Sequence, residues 1–145
     1  MRVAALKAIT SFVSWIEDTD TVMSFAPVMP TLLNTVVEAL KNDEEQGRAA
    51  LESLQELTGA HAEIWKAHTN QLLSVCAQVL SHSGFEDGTR AAAAELINSL
   101  SAEMPAALRK AKEMSTEFFP ALAKMLTEVE EDESVWATSD DTETL

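Results

Sequence analysis

The residues best suited to chemistry are three histidines, one cysteine and many carboxylates. His61, His68 and His82 are scattered, and neither a second pair nor a nearby carboxylate completes a ligand set at zinc spacing. Cys76 lies in the apolar run LLSVCAQVL, where a buried thiol is inert and a single cysteine cannot form an intrachain disulfide. No nucleophile motif or phosphate-binding glycine loop is present. The sequence therefore predicts a protein of a reducing compartment that is not an enzyme and has no catalytic residues, metal site or cofactor.

Acidic residues dominate the charge of the chain. Asp and Glu number 24 against 10 Lys and Arg, which gives a formal net charge of −14. This balance argues against nucleic acid and against anionic membranes as partners, because both bind basic surfaces. No uninterrupted apolar run reaches the length of a membrane span. The charge is consistent with two interpretations, simple solubility or binding of a basic protein partner.

The elements that position these carboxylates are predicted to be helices, and one kind of helix occurs three times. The stretches MRVAALKAITSF, QGRAALESLQEL and TRAAAAELINSL share apolar positions three residues apart, which places those positions on one helical stripe. We name these the B helices. Their aligned stripe positions are Leu6, Leu51 and Ala94; Ile9, Leu54 and Ile97; and Phe12, Leu57 and Leu100.

A second kind of helix, named the A helices, alternates with the first. Its copies are PVMPTLLNTVVEALK, AHTNQLLSVCAQVL and TEFFPALAKMLTEV. A period of 40–45 residues built from two helices is typical of HEAT and armadillo arrays. The predicted order is B 3–16, A 27–41, B 43–58, A 67–81, B 86–102 and A 116–129, followed by an acidic flexible tail or loop over 130–145.

We therefore predict an all-α fold over residues 1–129, a HEAT-repeat α-solenoid (an α-α superhelix) of about three stacked helix pairs with incomplete ends. The outer helices should expose apolar surface, which favours self-association. Periodicity begins at Val3 with no capping residue before it, so we expect a fragment of a larger array.

Two surfaces are candidate partner sites. The B helices should expose their polar residues, including Arg90, while B helices of a superhelix usually line its concave side. These residues form either an acidic groove for basic segments or a merely solvated face; the candidates are Glu52, Glu56, Glu95 and Asn98. The second candidate is the acidic run with the tryptophan that follows it, comprising Glu128, Glu130, Glu131, Asp132, Glu133 and Trp136. For Trp136, docking on its own fold, contact with a partner and no role all remain open.

Three segments in order, RVAALKAITSF, FAPVMPTLL followed by a B helix, and LRKA…FFPALAKMLTEVEEDESVWATSDD, resemble the nuclear transport receptors of the importin-beta superfamily. The nearest class is karyopherin beta-3, and the resemblance covers nearly all 145 residues. It implies a receptor that shuttles between cytoplasm and nucleus and binds basic cargo, the GTPase Ran and Phe-Gly pore proteins. It also implies that the acids at 128–133 belong to an acidic loop. The alternative is a HEAT scaffold or regulatory subunit of another assembly.

Overall fold

The computed structural model describes residues 2–128, and within that range every regular element is helical. The all-α fold is thus confirmed. Two short 3₁₀ turns, Ala26–Val28 and Ala62–Trp65, and a π-type turn, Met114–Phe118, lie between the α-helices. The α-helices are α1 (Arg2–Ser14), α2 (Thr19–Met23), α3 (Met29–Asn42), α4 (Glu44–Ala60), α5 (Thr69–Ser81), α6 (Asp87–Glu103), α7 (Pro105–Lys110) and α8 (Phe119–Leu126).

Local sequence signals account for several of the helix boundaries. The Asp43 side chain accepts a hydrogen bond from the Glu45 amide at 3.1 Å and so caps the start of α4. Asp18 caps α2 in the same way through the Thr21 amide. Proline lies in the first turn of α3, α7 and α8, where its missing N–H costs no helical hydrogen bond.

The long helices form two layers. The B helices α1, α4 and α6 lie side by side, since α4 contacts both of the others. The A helices α3, α5 and α8 form the second layer, in which α5 contacts both neighbours. The layers are joined by contacts of α3 with α4 and of α5 with α6. Each kind of helix therefore occupies its own side, which is the arrangement of a HEAT-type solenoid.

The core is continuous between the layers and includes the aromatic side chains of Trp65 and Phe118. Trp65 is fully buried, and its Nε1 donates a hydrogen bond to Thr58 Oγ1 at 2.8 Å. The Thr58 hydroxyl donates in turn to the Leu54 carbonyl at 2.7 Å. Both polar groups are thereby satisfied inside the core, so the indole can fill the corner between α4 and α5 without an unpaired donor.

Large apolar side chains are exposed at the two outer helices. Among the described residues they are Phe12 (64% exposed), Trp15 (84%), Phe119 (55%) and Leu126 (77%). Phe12 lies in α1, Trp15 directly follows it, and the other two lie in α8. The expected exposure of apolar surface at the outer helices is confirmed.

The placement of Phe12 on the buried stripe is wrong. In α1 the buried residues are Leu6, Thr10 and Val13, whereas Phe12 faces outwards and meets Phe25 edge to face, with ring centroids 6.3 Å apart. The spacing of this stripe is four and then three residues, so the pattern read from sequence was out of register at its end. In the B layer α1 packs against α4, and the side that carries Phe12 stays open.

Candidate functional site

The B layer presents carboxylates from two consecutive repeats on one surface. Glu52 and Glu56 on α4 and Glu95 and Asn98 on α6 are all exposed, and the two helices are neighbours. We call this set of four residues the B-layer face. Arg48 Nε lies 4.0 Å from the Glu52 carboxylate, a weak pair one helical turn away. Within residues 2–128, Glu56 and Glu95 make no ion pair.

The expectation that Arg90 is exposed is wrong. Its side chain is only 5% exposed. Its Nε and Nη2 donate to the Leu80 carbonyl at 2.9 and 2.6 Å, and its Nη1 donates to Glu128 Oε2 at 2.6 Å. Leu80 is in the last turn of α5, where carbonyls lack helical partners, so the guanidinium replaces the missing donors. Sequence spacing gave no signal for this contact because it joins three separate elements.

Glu128 is thus held by the fold, although it was predicted to contact a partner. The hydrogen bond from Arg90 and the positive charges of Arg90 and Lys124 hold the pKa of its carboxyl below the usual value, against a smaller opposing effect of desolvation. The other candidates near the C-terminus, Glu130, Glu131, Asp132, Glu133 and Trp136, lie outside the described residues.

A further carboxylate links consecutive repeats. Glu44 Oε1 accepts hydrogen bonds from the Glu86 amide at 2.6 Å and from the Thr89 hydroxyl at 2.8 Å. These donors lie at the start of α6, where helical amides lack partners. The start of α4 is therefore bonded to the start of α6, which fixes the spacing between the two helices that carry the B-layer face.

Two grooves of the described residues lie between helices of the A layer. The first, between α3 and α5, encloses about 440 Å³ and is mainly apolar. His82 stacks on Phe85 at one end of it, with ring centroids 4.4 Å apart. Its apolar lining consists of Val37, Leu40, Val75, Val79 and Phe85. We call it the α3–α5 groove. The helical periodicity alone does not predict this groove; half-buried Val37 and Val75 on successive A helices are the sequence signal that could have indicated it.

The second groove, between α5 and α8, is crossed by polar bonds. The Ser74 hydroxyl donates to Glu117 at 2.6 Å, and Lys124 Nζ donates to the Ser81 carbonyl at 3.2 Å. It encloses about 620 Å³. Because both bonds join the two walls, this groove is less suited than the first to an apolar side chain.

The residues considered for covalent or metal chemistry do not assemble into a site. Cys76 is fully buried, and burial raises the pKa of its thiol to about 12, so it stays protonated. Within residues 2–128 no three His, Cys, Asp or Glu side chains are close enough together to hold a metal ion.

Among residues 2–128, one helical stretch passes a length and composition test for crossing a membrane. It is Thr19–Asn42, with a mean hydropathy of 1.2. In the fold this stretch comprises α2, a 3₁₀ turn and α3, and the apolar residues Met29, Leu33 and Val36 are fully buried against neighbouring helices. Core helices of a fold and signal sequences pass the same test, and 33% of this window is buried.

Two protein families match the chain. Residues 1–75 match the family described as "IPO5-like, TPR repeats", and residues 82–144 match the family described as "Importin repeat". No curated protein sequence and no solved structure gives a significant match. TPR units are about 34 residues long. Here α3 and α5 begin 40 positions apart, at Met29 and Thr69, and α4 and α6 begin 43 apart, at Glu44 and Asp87, which are HEAT-type lengths. With its first family match covering more than half of its residues, the chain belongs to the IPO5-like family of importin repeat proteins, within the importin-beta superfamily.

Proposed function

We propose that this chain is a protein-binding part of a nuclear import receptor of the karyopherin beta-3 class. It carries cargo with basic signals through the nuclear pore under control of Ran-GTP, shuttles between cytoplasm and nucleus, and catalyses no reaction. Membership of the importin family supports the general assignment. The observation that carries the cargo proposal is the B-layer face, where two helices in contact with each other both carry exposed carboxylates.

This face has the physical properties that a basic segment requires. Its carboxylates stand on two helices whose first turns are bonded to each other through Glu44, so the helices need not move relative to each other to meet a chain of Lys and Arg. Each exposed ion pair contributes roughly 0.2–1 kcal/mol, so binding to this chain is modest and sensitive to salt. A basic peptide that bridges α4 and α6 makes several such pairs at once.

The test is a titration with a fluorescent octalysine peptide at low and at physiological salt. The variant carries Glu52→Gln, Glu56→Gln and Glu95→Gln. The control carries Glu17→Gln, Asp20→Asn and Glu103→Gln, which remove the same charge from exposed positions off the B-layer face. We expect the first variant to weaken binding several-fold more than the control. Equal weakening by both variants shows that only net charge matters and contradicts the cargo proposal.

We assign the α3–α5 groove to Phe-Gly pore proteins. Its volume and apolar lining suit a phenylalanine side chain, and glycine neighbours would let the peptide approach closely. The test compares Val75→Glu, which puts a charge in this groove, with Thr116→Glu in the α5–α8 groove. We expect the chemical-shift changes that a Phe-Gly peptide induces in the unaltered chain to be lost only in the Val75→Glu variant. If the peptide induces the same chemical-shift changes in that variant, and its melting temperature is intact, this assignment is contradicted.

We assign the acids from Glu130 to Glu133 to contact with Ran-GTP. Clustered carboxylates speed encounter with a basic surface. Replacing these four residues with Ser should slow association with Ran-GTP and flatten its salt dependence. An unchanged association rate would reduce the run to a solubilising segment. If Ran-GTP also fails to bind the unaltered chain, the alternative of a HEAT scaffold in another assembly replaces the transport assignment.

A further inference from the structure

Arg90 is a buried cation that bonds three elements at one corner of the array. It lies near the start of α6, bonds the Leu80 carbonyl in the last turn of α5 through two nitrogens, and bonds Glu128 just after α8 through a third. Lys124, in the last turn of α8, donates to the neighbouring Ser81 carbonyl. The ends of α5 and α8 are therefore joined by two cationic side chains.

The chemistry of the guanidinium makes Glu128 a necessary partner. A buried charge is costly unless it is paired and its N–H groups are bonded. The Leu80 carbonyl satisfies two donors but carries no negative charge. Among the described residues, Glu128 is the carboxylate that neutralises Arg90, at 2.6 Å. Moving Glu128 to a partner's surface would leave the cation buried without a counter-ion.

We propose that Arg90 is the anchoring residue of the acidic run: it holds Glu128 to the fold, so that the carboxylates offered to a basic partner begin at Glu130. The inference rests on the proposed function of the run, and it deepens that function by separating an anchor from the partner-binding acids. Glu128 is the first acid of the run in sequence, but its carboxylate faces the corner of α5 and α6. Arg90 thereby ties the first acid of the run to this corner of the array.

The first test needs no variant and no partner. A glutamyl endopeptidase must take the glutamate side chain into its own pocket, and it cannot do so while Arg90 holds that side chain. The full chain and a synthetic peptide of residues 122–136 are digested under native conditions, and cleavage after Glu128 and after Glu130 is followed by mass spectrometry. We expect the ratio of cleavage at Glu128 to cleavage at Glu130 to be at least about tenfold lower in the chain than in the peptide. Equal ratios overturn the proposal.

The second test removes the anchor. In Arg90→Met, cleavage after Glu128 should rise towards the rate in the peptide, while cleavage after Glu103 in α6 stays slow. Arg109→Met, which removes an exposed cation, is the matched control and should leave both sites unchanged. If cleavage at Glu103 rises as much as cleavage at Glu128, the variant has lost the fold. The ratio of cleavage at Glu128 to cleavage at Glu130 in the unaltered chain then decides whether Glu128 is anchored. If cleavage at Glu128 does not rise in a folded Arg90→Met protein, the anchor is refuted.

The two proposals fail separately. Proteolysis reports the contact between Arg90 and Glu128 without any partner, whereas the Ser replacements from Glu130 to Glu133 report partner binding. If Glu128 is protected from cleavage but the Ser replacements leave association with Ran-GTP unchanged, the anchor is supported and the Ran assignment is refuted. If Glu128 is cleaved as readily as in the peptide but the Ser replacements slow association, the anchor is refuted and the Ran assignment is supported.

Discussion

The centre and the ends of this array are built from the same kinds of helix, yet they treat apolar side chains differently. In the centre, α4 lies between α1 and α6, and α5 lies between α3 and α8. Leu54 of α4 and Leu73 of α5 are fully buried. At the ends, the exposed apolar side chains Phe12, Phe119 and Leu126 lie on α1 and α8. Burial here depends on position in the stack as much as on the sequence of the helix, because each repeat covers its neighbour.

The largest expected effect is the loss of stability on truncating a buried side chain in the centre, compared with an exposed side chain at an end. Leu54→Ala should lower the free energy of unfolding by about 3 kcal/mol, because it leaves a cavity in a fully packed core. Phe12→Ala should lower it by less than about 0.5 kcal/mol, since the side chain is mostly exposed. Urea denaturation followed by circular dichroism measures both. Similar losses for the two variants would mean that the end helix is as tightly packed as the centre.

A smaller effect is expected where the centre meets the C-terminal end. Arg90→Met should cost about 2 kcal/mol, mainly because the Leu80 carbonyl loses both of its side-chain donors while remaining buried. Arg109→Met serves as the control and should change stability by less than about 0.5 kcal/mol. Thermal unfolding of the two variants provides the comparison, and equal melting temperatures would contradict a structural role for the buried guanidinium.

Acid should act first at the periphery of the array. The pKa of Asp18 is lowered, first by the Thr21 hydroxyl and then by the Thr21 amide, and that of Glu128 is lowered by Arg90. A carboxyl with a depressed folded pKa stabilises the fold above its unfolded pKa of about 4, and this contribution is lost as the pH falls through the folded value. Asp18→Asn and Glu128→Gln should therefore flatten the decline of stability below about pH 4. If the stability of these two variants declines with falling pH as steeply as that of the unaltered chain, other carboxylates govern the decline.

Replacing an exposed aromatic side chain should have the smallest effect on stability but a measurable effect on self-association. Trp15→Ser should change the free energy of unfolding by less than about 0.5 kcal/mol, because the indole is 84% exposed. Self-association through the open face of α1 should weaken, since exposed apolar patches promote it. Sedimentation velocity at several concentrations measures this. A chain that associates equally with and without Trp15 would assign association to another surface.

Periodicity predicted most of the fold because the repeats obey it. Five of the six long helices begin and end within two residues of the bounds read from the sequence, for example Glu44–Ala60 against 43–58. The last A helix instead splits into a π-type turn, Met114–Phe118, and α8. The short helix α2 was missed because five residues carry no measurable period.

The candidate site was predicted less completely, because side-chain contacts between elements leave no trace in spacing. The exposure of Glu52, Glu56, Glu95 and Asn98 follows from the helical stripe and agrees with the structure. The burial of Arg90 does not follow from the helical stripe, since it depends on a carbonyl ten residues earlier and a carboxylate 38 residues later. The α3–α5 groove likewise needed the distance between two A helices, which a one-dimensional pattern cannot supply.

The central claim, that the centre of the stack is its stable part and its ends are open, is tested most directly by native-state hydrogen exchange resolved by residue. Amides of α4, α5 and α6 should exchange slowest, near the rate set by global unfolding, while those of α1 and α8 should exchange by local opening at markedly lower free energy. A graded profile falling from the centre to both ends is the predicted result. Uniform protection across all six long helices, or the strongest protection in α1 or α8, would contradict it.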